Sequence, residues 1–224
     1  MLNELLFLIH IIIIAGITLG ALALGKEALI TTICLFSILA NLLVTKQIML
    51  VGLHVVSTDV FMVGSLIGLN LLQEYFGKPA ALKAIVINLF TTLTYLTMTV
   101  LHTAYQASPF DTAAPHFTAI LSPMPRIIIA SISVYLIAQL IDAQLFHILK
   151  RLFGGRYLAV RNTISLAITQ LFDTILFSFA ALYGLVHSMS HIIIVSYGIK
   201  MIIILLNTPC IQLSRHIIKN RPHD

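Results

Sequence analysis

The chain has 224 residues, of which 59% are hydrophobic and 9% charged, with a net charge of +5 and a mean hydropathy of +1.02. A soluble domain carries roughly 25% charged residues, so this composition excludes an ordinary soluble globular protein. It excludes a disordered chain for the opposite reason. What it fits is an all-α polytopic membrane protein, a single transmembrane domain over residues 1–224 with little mass outside the bilayer.

Seven apolar segments follow in order: Leu2–Leu24, Ala28–Thr45, Asp59–Tyr75, Leu82–Leu101, Arg126–Leu149, Thr163–Leu185 and Ile192–Leu213. Each approaches the ~20 residues that a helix needs to cross ~30 Å of hydrocarbon. About seven transmembrane helices are predicted; a count of six, with one segment not spanning, stays open. The first segment follows Glu4 instead of a basic start and is long enough to span, so a cleaved leader is not expected.

Two connections are not simple. Lys46 to Thr58 is too apolar for a free loop and too short to span, and Gly52 divides it into two aliphatic runs. A short apolar hairpin or re-entrant segment is predicted there, between the second and third helices. His102 to Pro125, with Pro109, Pro115, Pro123 and Pro125, is predicted to be an irregular loop dividing four helices from three.

The basic residues give an orientation. With the N-terminus outside, the inner connections and tail carry Lys26, Lys78, Lys83, Lys150, Arg151, Arg156, Arg161, Arg215, Lys219 and Arg221, against Lys46 and Arg126 outside. Ten against two places the N-terminus outside and the C-terminus in the cytoplasm.

Ionisable groups within apolar helices are costly, and each is a candidate for function. The fifth segment contains QLIDAQLF at 139–146 and the sixth QLFDTILF at 170–177. Gln139 and Asp142, and Gln170 and Asp173, are each spaced i, i+3 and share a helix face. In antiparallel neighbours, Asp142 and Gln170 lie about 10 Å from the cytoplasmic ends, and Gln139 and Asp173 about 15 Å. Two acid–amide pairs at matching depths predict a polar site near the midplane. Asn70, Gln73 and Glu74 share a face at the end of the third segment, and Asn41 lies in the second. Tyr75, Phe146, Phe172 and Phe177 are candidates to stack on a flat ligand.

Lys46 and Asp59 flank the hairpin as an expected ion pair or gate. Arg161 can pair with Asp142 or Glu74, or anchor the cytoplasmic side. Lys200, inside the seventh segment, can snorkel or pair with an acid of the bundle. Cys34 and Cys210 sit in apolar segments and read as small buried residues. His10, His54, His102, His147, His187 and His191 show no ligand spacing. No metal, cofactor or nucleic-acid partner is predicted, and no nucleophile–base arrangement supports an enzyme.

A carboxylate can accept a ring N–H and an exocyclic amine in parallel, and an amide can serve a neighbouring carbonyl. A purine-like edge, a cationic amine or a proton would each suit such a site.

The stretch NLLVTKQIMLVGLHVVSTDVFMVGSLIGLNLLQEYFGKPAALKAI, residues 41–85, resembles the VUT family of queuosine precursor transporters. So do RIIIASISVYLIAQLIDAQLFHILKRL and the later RNTISLAITQLFDTILF. The matching positions are Asn41, Lys46, Asp59, Glu74 and Gly77, then Gln139, Asp142, Arg161, Ser165, Gln170 and Asp173. Tyr75-Phe76-Gly77 has one aromatic more than the commoner Glu-x-Tyr-Gly form. The resemblance implies import of 7-deazaguanine bases, such as the 7-cyano or 7-aminomethyl base or queuine. It implies alternating access across the bacterial inner (plasma) membrane, with the bilayer as partner and a homodimer as an open option. Two rivals belong to other classes: a substrate-binding subunit of an energy-coupling-factor vitamin importer, and a proton-relay or scaffold subunit of a membrane complex.

Overall fold

The structure, a computed structural model, describes residues 2–153 and 158–202. Its elements are α1 (Leu2–Leu24), α2 (Lys26–Leu43), β1 (Gln47–Leu50), β2 (Leu53–Val56), α3 (Asp59–Thr103), α4 (Ala114–Leu121), α5 (Met124–Leu152) and α6 (Leu158–Phe177). A π-helical turn, Ser178–Leu182, extends α6, and α7 is described over Met189–Ile202. Four stretches among the described residues are long and apolar enough to cross a membrane: Leu2–Leu24, Lys26–Leu43, Asp59–Thr103 and Ala114–Ala138. With the family match reported below, this is an all-α, multi-pass membrane protein.

The apolar runs explain where the helices sit. On α1, Ile14, Thr18, Ala21 and Leu22 are buried at helical spacing, while Leu5, Leu8, Ile12 and Ile13 are exposed. A helix apolar on both faces suits lipid on one side and protein on the other. Hydroxyls inside the helices bond to their own backbone, as Thr18 does to the Ile14 carbonyl at 2.8 Å and Thr91 to that of Ile87 at 2.8 Å. This removes the cost of an unpaired polar group in hydrocarbon.

Single glycines make the turns at one end. Gly25 (φ 124°) donates its N–H to the Ala21 carbonyl at 3.1 Å and accepts from Leu29 N–H at 3.1 Å, so it closes α1 and opens α2. Gly77 (φ 81°, ψ 167°) breaks α3 into limbs 59–76 and 78–103. Val63, Ile67, Leu71 and Leu72 of the first limb share a core cluster with Ala80 and Ala84 of the second. Further on, Tyr95 packs against the cluster holding Val44 and Val56, next to where the first limb starts. The second limb therefore returns along the first. The sequence predicted separate helices ending at Tyr75 and starting at Leu82. The connection is instead one residue. Pro79 lies in the first turn of the second limb, where a missing N–H costs nothing. No L side chain adopts the Gly77 conformation cheaply. Gly77→Ala is expected to destabilise by about 1–3 kcal/mol, read as a lowered thermal midpoint of the purified protein.

The predicted hairpin forms. β1 and β2 pair antiparallel, with Leu50 opposite Leu53, across the two-residue turn Val51-Gly52. Both turn residues have positive φ (49° and 78°), as a type I′ turn requires. Glu4 accepts the Val51 N–H at 3.1 Å and Asn3 donates to the Met49 carbonyl at 3.0 Å. The first turn of α1 thus braces the hairpin tip. The predicted irregular loop 102–125 is shorter than expected, because it contains α4. Asp111 Oδ1 accepts the N–H groups of Ala113 and Ala114 at 2.8 and 3.1 Å, in the turn that leads into that helix.

Candidate functional site: a buried polar cluster on α3, α6 and α7

The interior of the bundle is closed by apolar packing, and against it stand a few buried charged and polar side chains. Ser196 and Lys200 are one turn apart on α7 and share a face. Ser196 Oγ donates to Asp59 Oδ2 at 2.7 Å, and Asp59 is buried at the start of α3. Lys200 Nζ donates to Asp173 Oδ2 at 2.5 Å and to Thr174 Oγ1 at 3.1 Å, both on α6. Thr174 is itself held by its hydroxyl on the Gln170 carbonyl at 2.7 Å. Lys200 is 7% exposed and is the only buried cation among the described residues. One face of α7 thus ties together two acids that sit more than 100 residues apart in the chain.

The expected ion pair of Lys46 with Asp59 does not form. Lys46 is exposed at the end of α2, whereas Asp59 is buried and bonded to Ser196. The hairpin that separates them leads Lys46 outward. Lys200 takes the second of its two predicted roles, pairing with an acid of the bundle.

Of the other predicted residues, Asn41 is buried, and its Nδ2 donates to the Ser37 carbonyl of its own helix at 2.8 Å. Asn70 is half-buried, and Gln73 and Glu74 are exposed on the last turn before Gly77. Tyr75 packs on the cluster of Leu71 and Leu72. Phe177 packs beside Ala181 and Leu182, and Phe172 is exposed. Gln170 is half-buried on α6, which packs against α5 as predicted. The side chains of Gln139, Asp142, Phe146 and Arg161 lie outside those described, as does Cys210; Cys34 is buried and free. The structure therefore joins Asp59 and Asp173 through α7, and places the Asn70–Glu74 face on a separate, more exposed surface.

Sequence reasoning missed Ser196 and Thr174. The signal for Ser196 was its i, i+4 spacing to Lys200 in an otherwise apolar helix. It also missed a convergence of histidines. The ring of His54, on β2, lies 4.6 Å from that of His187 and 6.1 Å from that of His191, and its backbone N–H donates to His191 Nδ1 at 3.3 Å. Gln47 fastens the same junction, donating to the Leu185 carbonyl at 3.3 Å and accepting the His187 N–H at 2.8 Å. Among the described residues neither these histidines nor any other group of His, Cys, Asp or Glu is placed to hold a metal ion. At the same end, Arg126 Nε donates to the Ala180 carbonyl at 2.9 Å, in the π-helical turn.

A concavity of about 460 Å³ is lined by Leu42, Tyr95, Met98, Thr99, His102 and Leu121, among others. It lies near the hairpin end and shares no residue with the polar cluster. We assign the candidate site to the cluster, because charge buried in an apolar bundle is costly and open apolar surface near a helix end is not.

No solved structure matches the chain. A curated protein of Bacillus subtilis (strain 168), named "Probable queuosine precursor transporter", is 29% identical over 218 residues, covering 95% of this chain and 93% of its own. The family described as "Putative vitamin uptake transporter" matches residues 56–214. That span runs from the end of the hairpin through Asp59, Asp173, Ser196 and Lys200, over more than two thirds of the length, and the chain belongs to this family of membrane transporters.

Proposed function

We propose that the chain imports queuosine precursors, the 7-deazaguanine bases, by alternating access around the polar cluster of α3, α6 and α7. The observation that carries this reading is the ion pair of half-buried Asp173 with buried Lys200, with Asp59–Ser196 one turn away. The relative from Bacillus subtilis supports the substrate class through its name and its cover of the chain.

The chemistry follows from the groups present. Asp173 accepts the ring N–H and exocyclic amine of the base in parallel. Gln170, Gln139 and Asp142 complete the hydrogen-bond set. Asn41, Asn70, Gln73 and Glu74 form the wall met from the other side as the bundle rocks. Tyr75, Phe146 and Phe177 supply aromatic faces. Phe172, exposed in this conformation, stacks only if α6 rotates. Asp59 and Arg161 act in gating, with Lys46 at the outer rim. Repeat-based transporters place their sites near the midplane in this manner.

The whole chain, 1–224, acts as one transporter unit with seven spans. The limbs of α3 count as two of them, since the second returns along the first. The start of α1, the hairpin and the 183–188 connection meet at one end of the bundle. The bias of basic residues puts that end outside the inner membrane and the C-terminus in the cytoplasm.

The test is uptake in cells that cannot make the precursor. Cells expressing the chain and fed a 7-deazaguanine base are expected to regain queuosine-modified tRNA, while cells carrying an empty vector do not. Equal modification in the two strains rejects the reading. Co-purification of an ATPase with the chain would instead favour a subunit of a larger importer.

A further inference from the structure

Lys200 has no role in the ligand chemistry set out above. A bundle that needs only a carboxylate for a purine-like edge has no use for a buried ammonium on that same carboxylate. Taking Lys200 out of water is costly, and a neutral donor such as glutamine or serine would bridge α7 to α6 more cheaply. Its ammonium is in direct contact with Asp173 and Thr174, and the next polar group on its face, Ser196, holds Asp59. Every ligand that reaches Asp173 therefore arrives beside a fixed positive charge in a poorly screened interior.

We infer that Lys200 is a specificity-determining residue that discriminates against a positively charged ligand and tilts the site toward a neutral one. The inference rests on the transport reading above and deepens it. The 7-cyano and 7-aminomethyl bases present the same ring edge and differ in the charge of the 7-substituent, so they are a matched pair of probes. Like charges repel, and the repulsion falls on the aminomethyl base alone. Among the described residues the facing groups are Asp59 of α3, Asp173 and Thr174 of α6 and Ser196 of α7; Asp59 and Asp173 attract both the lysine and a cationic ligand, so removing the lysine leaves their full attraction to the ligand.

The experiment measures the affinity of purified full-length protein for the two bases. Lys200→Met keeps the apolar stem and removes the charge. Lys200→Gln also removes it but keeps a donor for Asp173. Lys200→Arg keeps the charge. In the Met and Gln variants the affinity ratio is expected to shift toward the aminomethyl base by about tenfold or more, equivalent to ~1.4 kcal/mol. In the Arg variant it stays within about twofold of the wild type, a difference below that scale. A purely structural lysine weakens both bases equally and leaves the ratio unmoved, and that result overturns the inference. If the Met variant does not fold, the Gln variant decides. If the wild type binds neither base, the transport reading itself fails and this inference falls with it; if both bind and the ratio does not move, only the inference falls.

Discussion

Asp173→Asn is expected to reduce uptake of a 7-deazaguanine base about 100-fold, measured per inserted transporter in cells unable to make the precursor. The variant removes the carboxylate charge that accepts the ligand's two N–H groups and leaves the Lys200 ammonium without its partner, and ~2.7 kcal/mol lost from recognition corresponds to 100-fold. The stranded group here is Lys200, held on Asp173 and Thr174 with almost no access to solvent. Loss of uptake alone would not separate a binding role from a folding one. The double variant Asp173→Asn with Lys200→Met does, since it removes both charges together. It is expected to recover most of the thermal stability lost in the single variant, while uptake stays low. Normal uptake by well-inserted Asp173→Asn protein would remove Asp173 from the site.

Gly64→Val is expected to cause a large loss of stability. A Cβ at position 64 would lie 2.4 Å from Ile14 Cγ2 and 2.5 Å from Phe36 Cε2, and one at Gly68 would lie 2.9 Å from Ile33 Cγ1. Real Cβ atoms do not approach so closely, so Ile14 and Phe36, or the helices that carry them, must shift. Overpacking of this kind costs ~1–3 kcal/mol for small additions, and the branched side chain of valine extends the clash. Gly64 and Gly68 are the small residues of a small-xxx-small pair, the arrangement that lets helix backbones come together in lipid. Gly20→Ala, where nothing lies within 4 Å of the new Cβ, is the control and should be nearly neutral. Thermal midpoints of the three proteins in one detergent make the comparison. An equal midpoint for the Gly64 variant would mean that the three-helix junction is loose.

The helices were legible because lipid demands long apolar runs, and such runs leave few other readings. The hairpin was legible from Gly52, which alone among its neighbours suits a turn with positive φ. Asp173 and Asp59 stood out because so few acids occur in apolar segments. The connection at Gly77 was bounded too widely, at Tyr75 and Leu82. In fact glycine supplies the whole reversal, and proline merely starts the next helix. The small helix α4 escaped notice among prolines, one of which sits in its first turn. The partner of Lys200 was open from sequence, since snorkelling and pairing have the same local pattern and only tertiary placement selects between them. The Ser196–Asp59 bond and the three-histidine junction each span 137 residues or close to it. No local periodicity encodes such a meeting. The Lys46–Asp59 pairing failed for a related reason, because closeness in sequence across a hairpin does not place two side chains on the same side of it.

The one-residue joints at Gly25 and Gly77 have a practical consequence for anyone handling the protein. Proteases nick, and inserted tags are tolerated, at exposed loop tips. At these two joints there is no loop tip, only the last turn of one helix running into the first turn of the next. The opposite end is different: residues 104–113 form an exposed connection with no regular structure before α4. Susceptibility to cutting and tolerance of an epitope are therefore lopsided along the length of the bundle. A tag placed at 104–113 reports on one side of the membrane without disturbing a helix, whereas the same tag at Gly25 or Gly77 would pry apart two helices that the chain keeps one residue apart.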